Sequence, residues 1–138
     1  MTVVFDYDGT LFDTWSVPQR PDTTDWWVEA TEKGLPIQVA HDAFCRHAEA
    51  GEPIVVLTLR PERLRAATER RLREHGLVVD GLYMCPKGVP PTPEYKISLL
   101  CKIESQHGPV TEAYDDDPSV LNLYRQKGVV AHHVVFPS

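Results

Sequence analysis

Cysteine is scarce in this sequence and poorly placed for pairing. Cys45, Cys85 and Cys101 are odd in number and widely spaced, and no C-x-x-C occurs. A disulfide framework and a zinc site are therefore not signalled, and the pattern fits a reducing compartment. Long apolar runs are missing as well, none approaching the roughly 20 residues that cross a bilayer. The start, Met1-Thr-Val-Val-Phe5, has neither the basic residues nor the apolar stretch of a signal peptide. These features predict a cytoplasmic protein without a membrane partner. An excess of positive charge is also lacking: 14 Lys and Arg stand against 20 Asp and Glu, a formal net charge of −6. Broad, nonspecific binding of duplex nucleic acid needs a basic footprint. That class is disfavoured, while local capture of a nucleic-acid end stays open. Internal repeats, low-complexity tracts and linkers are absent, and 138 residues suit one domain, 1–138. Nothing in the sequence speaks to oligomeric state.

The residues present alternate between two kinds of pattern. Thr2 to Phe5 and Ile54 to Leu57 are short, β-branched apolar runs of the kind that form buried strands. Gly81 to Met84 and Glu112 to Tyr114 are weaker runs, and Val129 to Phe136 predicts a last strand. Helical patterns lie between them, at about Val39 to Ala50, Pro61 to His75 and Pro93 to His107. A fourth helix starts with Asp117 as N-cap and Pro118 as first residue. Alternating strands and helices predict an α/β fold with a parallel sheet covered on both faces. Ligands bind such sheets beyond the carboxyl ends of the strands. Asp6, Asp8, Thr58 and Asp115 are therefore expected to meet at one edge. Arg60, Arg63, Arg65, Arg70, Arg71 and Arg73, interleaved with Glu62, Glu69 and Glu74, read first as a solvated helix face.

The segment Val3-Val-Phe-Asp6-Tyr-Asp8-Gly-Thr-Leu-Phe-Asp-Thr14 resembles the first motif of haloacid dehalogenase (HAD) superfamily phosphatases, D-x-D-G-T after an apolar strand. Leu57-Thr58 matches the second motif, Lys96 the third, and Asp115-Asp116 the fourth, in the family's order across nearly the whole chain. The resemblance implies a HAD-type, Rossmann-like three-layer fold with a minimal cap, the short insert 13–38. It implies a phosphatase in which Asp6 is the nucleophile and Asp8 the general acid and base. Thr58 would then donate to the phosphoryl group and Lys96 offset its charge. Lys87 competes with Lys96 for that position. The implied cofactor is Mg²⁺, held by Asp6, the Asp8 carbonyl, Asp115 and Asp116. The chemistry suits these residue types: a carboxylate can carry a phosphoryl group covalently, and charge neutralisation dominates the barrier.

The chain is also similar to the 3′-phosphatase module of polynucleotide kinase-phosphatases and related RNA-repair HAD proteins. The similarity lies in Leu57-Thr58-Leu-Arg60 and in Ala113-Tyr-Asp-Asp116 followed by Leu121 to Gly128. Asp117 stands where that group often has Arg, and no P-loop kinase motif is present. The insert is too short for a closing domain, so an open site and a phosphorylated substrate as large as a nucleic-acid 3′-phosphate end are expected. Trp26 and Trp27 are candidates for stacking on bases, or for anchoring the insert to the core. Arg60, expected at the rim, and Arg63 are candidates for backbone charge. A small nucleotide or sugar phosphate is the alternative substrate, and a HAD-fold regulatory or interaction module the alternative class. Tyr7, His132 and His133 read as structural.

Overall fold

Successive residues of the apolar runs point to opposite faces, and this period of two builds both halves of the core. The computed structural model describes residues 1–20 and 25–135. In chain order the elements are β1 (Thr2–Phe5), β2 (Phe12–Asp13), α1 (Trp26–Lys33), β3 (Leu35–Pro36), α2 (Gln38–Glu49), β4 (Ile54–Pro61), α3 (Arg65–Glu74), β5 (Gly81–Cys85), α4 (Pro93–Ser98), α5 (Leu100–His107), β6 (Val110–Asp115), α6 (Pro118–Gln126) and β7 (Val130–His133). Strands β5-β4-β1-β6-β7 form a parallel sheet in that order. Val3 and Phe5 of β1, with Ile54 and Val56 of β4, pack against Phe44 of α2 and Leu72 of α3. Val4, Val55 and Leu57 face the other way, onto Ile97, Leu100 and Ile103 of α4 and α5 and Val120 and Tyr124 of α6. Each fully buried side chain of this size contributes about 1.5–3 kcal/mol.

The order of the strands fixes where the site must be. From β1 the chain moves outward to β4 and β5, with α2 and α3 on one face. It then returns across α4 and α5 to β6, on the other side of β1. The switch point is thus at the carboxyl ends of β1 and β6, where a crevice opens. This α/β architecture, with a five-stranded parallel sheet between helices, agrees with the expected fold class.

Several boundaries differ from expectation. Pro61 does not begin a helix. It ends β4, in extended conformation, and a single 3₁₀ turn (Glu62–Leu64) precedes α3. The expected helix from Pro93 to His107 is two helices that meet at Leu99. The last strand is β7 alone, and Phe136 lies outside the described residues. The insert 13–38 contains α1, capped by the Asp25 carboxylate accepting from Trp27 N at 3.1 Å, and the antiparallel pair β2–β3. Its residues 21–24 are outside the described set. Among the described residues no helix is long and apolar enough to cross a membrane.

Candidate active site

Two strand ends, β1 and β6, and one short helix deliver the charged cluster. Asp6 follows β1 directly, and its backbone N–H continues the ladder to Tyr114 O at 2.9 Å. Gly9 then turns the chain with a φ of 77°. A β-carbon there would collide with the Asp116 carboxylate and lie 2.8 Å from Trp15 Cδ1, so only glycine allows this approach. Asp115 ends β6, and Thr58 lies in β4. Thr92 caps α4, accepting from Tyr95 N, and the first turns of that helix carry Lys96 inward. Lys96 Nζ donates to Asp6 Oδ1 at 2.9 Å and to Asp115 Oδ2 at 2.6 Å. Asp6, Asp8, Thr58, Lys96 and Asp115 are all buried. Lys87 is exposed, in a turn after β5, so the fold brings Lys96 and not Lys87 to the cluster.

Burying carboxylates together makes their charged forms costly. Burial pushes Asp6 up to about 7; Lys96 pulls it down, and Asp116 pushes it up again. Burial and the neighbouring Asp6 raise Asp115 to about 6. Burial also raises Asp116 to about 6, with Asp115 adding to the rise. Burial alone would loosen the Lys96 proton, but Asp6 and Asp115 outweigh it and hold the ammonium charged. Lys96 is thus bonded to two of these three carboxylates, Asp6 and Asp115. Asp6, Asp115 and Asp116 present ligand atoms within 4.8 Å of one another. An all-oxygen donor set of this kind, short of positive charge, suits a hard divalent cation.

Asp8 has different surroundings. Thr14 Oγ1 donates to its Oδ1 at 2.7 Å, and Arg60 Nε faces its Oδ2 at 3.3 Å. Burial raises its pKa, against the opposing pull of Arg60 and Thr14. Arg60 was expected at the rim, offering charge to a substrate backbone. Instead it is only 1% exposed, the largest fully buried side chain among the described residues. Its guanidinium lies 4.4 Å above the Tyr7 ring and 5.4 Å from that of Trp27. It donates to Thr68 Oγ1 of α3 at 2.7 Å and to Thr31 Oγ1 of α1. A buried guanidinium needs a counter-ion, and Asp8 is the one available. Arg63 is exposed but held by both oxygens of Asp25. Arg60→Lys is expected to cost about 2 kcal/mol of stability by losing the forked contacts to Thr31 and Thr68. Urea unfolding measures this, and a change under 0.5 kcal/mol on the scale of ordinary surface substitutions would refute it.

Thr58 Oγ1 accepts from Arg60 N at 3.1 Å, which leaves its own hydroxyl proton free to donate. Thr10 Oγ1 donates to Asp6 Oδ2 at 3.0 Å. Asp117 caps α6, accepting from Ser119 N, as expected, and also borders the cleft. Tyr7 is buried against Phe12. His132 bonds Glu112 and stacks on Tyr114, away from the cluster. His133 comes nearer than its place in the chain suggests, 3.2 Å from the Asp116 carbonyl.

A cleft of about 640 Å³ opens over these groups, with Trp15 and Trp27 on one wall. Trp27 packs partly into the core. Trp26 donates from Nε1 to Val17 O at 2.8 Å and stacks on Trp15, with centroids 5.6 Å apart. Both expected tryptophans therefore anchor the insert, and of the two Trp27 also lines the cleft. Trp15 was not singled out in the sequence, yet it is the exposed aromatic of the three. Thr14, Thr31 and Thr68 were also missed as supports. Thr14 sits in the first motif segment, where its hydroxyl within reach of Asp8 was the available signal.

No family model matches this chain, and no curated protein matches it in sequence. Solved structures match its fold. A chain of a Pnkp1/Rnl/Hen1 complex superposes with a TM-score of 0.79 over 96% of this chain at 22% identity. This protein spans 44% of that chain, less than half its length. A D,D-heptose 1,7-bisphosphate phosphatase from B. bronchiseptica, complexed with magnesium and phosphate, gives a TM-score of 0.65 at 19% identity, covering 94% of this chain and 78% of its own. A HAD-superfamily hydrolase, subfamily IA, variant 1, from Geobacter sulfurreducens gives 0.63 at 14% identity, covering 94% and 84%. The chain shares its fold with these structures, HAD-superfamily proteins among them.

Proposed function

We propose that this protein is a Mg²⁺-dependent phosphatase that hydrolyses phosphate monoesters through an aspartyl phosphate on Asp6, with nucleic-acid 3′-phosphate ends as substrate. The observation that carries the reading is the buried set of Asp6, Lys96 and Asp115, bonded to one another beside a separately held Asp8. Asp6 attacks phosphorus with one carboxylate oxygen, and the bond from phosphorus to the leaving oxygen breaks. Asp8, whose pKa burial raises, gives a proton to that oxygen. Asp8 then takes a proton from the water that attacks the aspartyl phosphate, and inorganic phosphate leaves with Asp6 restored. Thr58 donates to the phosphoryl oxygens, and Lys96 offsets their charge. Asp6, Asp115, Asp116 and the Asp8 carbonyl would hold the magnesium, which when bound supplies further charge neutralisation at the phosphoryl group. The substrate class rests on likeness to a chain of an RNA repair complex and on the tryptophans beside the cleft. An intact set of reacting groups supports catalysis over a purely regulatory role.

The test is magnesium-dependent phosphate release from 3′- and 5′-phosphorylated oligonucleotides, nucleotides and sugar phosphates. The 3′-phosphorylated end is expected to have the highest kcat/KM, and excess chelator to stop all release. Full activity in chelator would defeat the metal assignment. Efficient use of a sugar phosphate alone would favour the small-molecule alternative.

Metal and protons are expected to compete for the cluster. The folded carboxyl values lie above the ordinary 3.8, at about 7 for Asp6 and about 6 for Asp115 and Asp116. Folded protein therefore holds protons that the unfolded chain releases. The stability this gives is fully present below about pH 4 and lost as pH rises through about 6 to 7. Without metal, this contribution to stability is smaller at pH 8 than at pH 5.5. Added Mg²⁺ should raise the Tm more at pH 8, where the ligands are ionised. Thermal unfolding at both pH values, with and without Mg²⁺, checks this; an equal Mg²⁺ effect at both would contradict it.

A further inference from the structure

Trp15 is 55% exposed and lines the same cleft as Asp6 and Asp8. It is held in place from behind: its ring lies nearly parallel to that of Trp26, at 12°, and edge-to-face with Trp27 at 5.9 Å. Gly9, beside Asp8, lets it approach the turn that carries the reacting carboxylates. The rest of the cleft is apolar above the charged floor, with Leu59, Pro61, Pro91, Pro118 and Val120. The cations among its lining residues are Lys96 and Arg60, both buried and both paired with carboxylates. Asp116 and Asp117 add negative charge. Beyond the phosphate being cleaved, the described lining residues offer no free cation for a second phosphate, yet they hold an exposed aromatic face. Aromatic side chains take bases of any sequence by stacking, whereas polyanion contacts need unpaired Lys or Arg.

We infer that the cleft recognises its substrate by stacking the terminal nucleobase on Trp15, and reads one nucleotide rather than the chain behind it. The inference rests on the phosphatase reading for the position of the phosphate. A mononucleotide and an oligonucleotide end carry the same chemistry here, and salt dependence separates them from a backbone-bound substrate. All three tryptophans of the chain belong to this cluster, so its indole fluorescence reports directly on the cleft.

The experiment compares kcat/KM for four substrates in wild type, Trp15→Ala and Trp15→Phe. The substrates are a 3′-phosphorylated oligonucleotide, the same oligonucleotide lacking its terminal base, a nucleoside 3′-monophosphate and glycerol phosphate. The Ala change is expected to lower use of the base-bearing substrates about ten-fold relative to glycerol phosphate, and Phe to restore most of the loss. Removing the terminal base should cost wild type a similar factor. Oligonucleotide and mononucleotide should share a shallow salt dependence. Nucleoside 3′-monophosphate should quench wild-type indole fluorescence, and glycerol phosphate should not. An unchanged ratio in Trp15→Ala overturns the inference, as does equal use of the abasic end. So does a steep salt dependence confined to the oligonucleotide. If Trp15→Ala does not fold, Trp15→Phe and the abasic substrate decide the question. No phosphate release from any substrate, with base-dependent quenching intact, would reject the phosphatase reading and keep the base site. Release without base dependence would do the reverse.

Discussion

Asp6→Asn is expected to lower phosphate release by about 10³-fold or more, because it removes the proposed nucleophile and leaves only binding and charge stabilisation. The fold should survive. Asparagine has the same shape, its oxygen can still accept from Thr10, and Lys96 keeps its contact with Asp115. Replacing one of three crowded carboxylates also relieves repulsion, so the metal-free Tm should stay at or above that of wild type. The stabilisation by Mg²⁺ should shrink, since one ligand is lost. Turnover within ten-fold of wild type would reject covalent catalysis at Asp6.

Lys96→Met should be damaging in a different way. It removes the cation bonded to Asp6 and Asp115, and leaves these buried carboxylates without a paired cation among the described residues. Breaking a buried ion pair from one side costs about 3–5 kcal/mol, and the Tm at pH 8 should fall by roughly 10–20 °C. The loss should be smaller at pH 5.5, where Asp6, Asp115 and Asp116 take up protons. Turnover should fall on the order of 10²–10³-fold, as it does when a charge-stabilising donor is removed. Mg²⁺ should recover part of the stability but not the turnover. An unchanged Tm at pH 8 would mean that Lys96 does not neutralise the cluster.

The parts of the fold that were legible are those in which local pattern and tertiary position agree. The runs ending at Phe5 and Leu57 alternate between two apolar layers, and a run that must bury both faces has little choice but a central strand. Asp6, Asp8 and Asp115 were placed at one edge because strands in a parallel sheet end on the same side. Arg60 was misplaced for a physical reason. In sequence it begins a stretch alternating Arg and Glu, which normally means water, and the partners that desolvate it belong to other elements: Asp8, Thr31 and Thr68. Pro61 misled because a proline fits both the last position of a strand and the first of a helix, and the following 3₁₀ turn postpones the helix. Trp15 carried no periodic signal, since it lies in a turn, and its exposure follows from contacts with Gly9 and Trp26 that no local pattern encodes.

The hydrogen bond from Arg60 to Thr31 has a consequence for how such a protein can be altered. Thr31 belongs to the insert, and Arg60 is the counter-ion of Asp8. The insert is therefore not an interchangeable attachment that sets substrate choice while the catalytic frame stays constant. Grafting another insert between Asp13 and Gln38 would remove one acceptor of a buried guanidinium and alter the surroundings of Asp8, the proposed general acid. A graft that retains a hydroxyl at the Thr31 position would keep specificity and acid strength separable; one that omits it would change both at once, whatever its own surface was selected to bind.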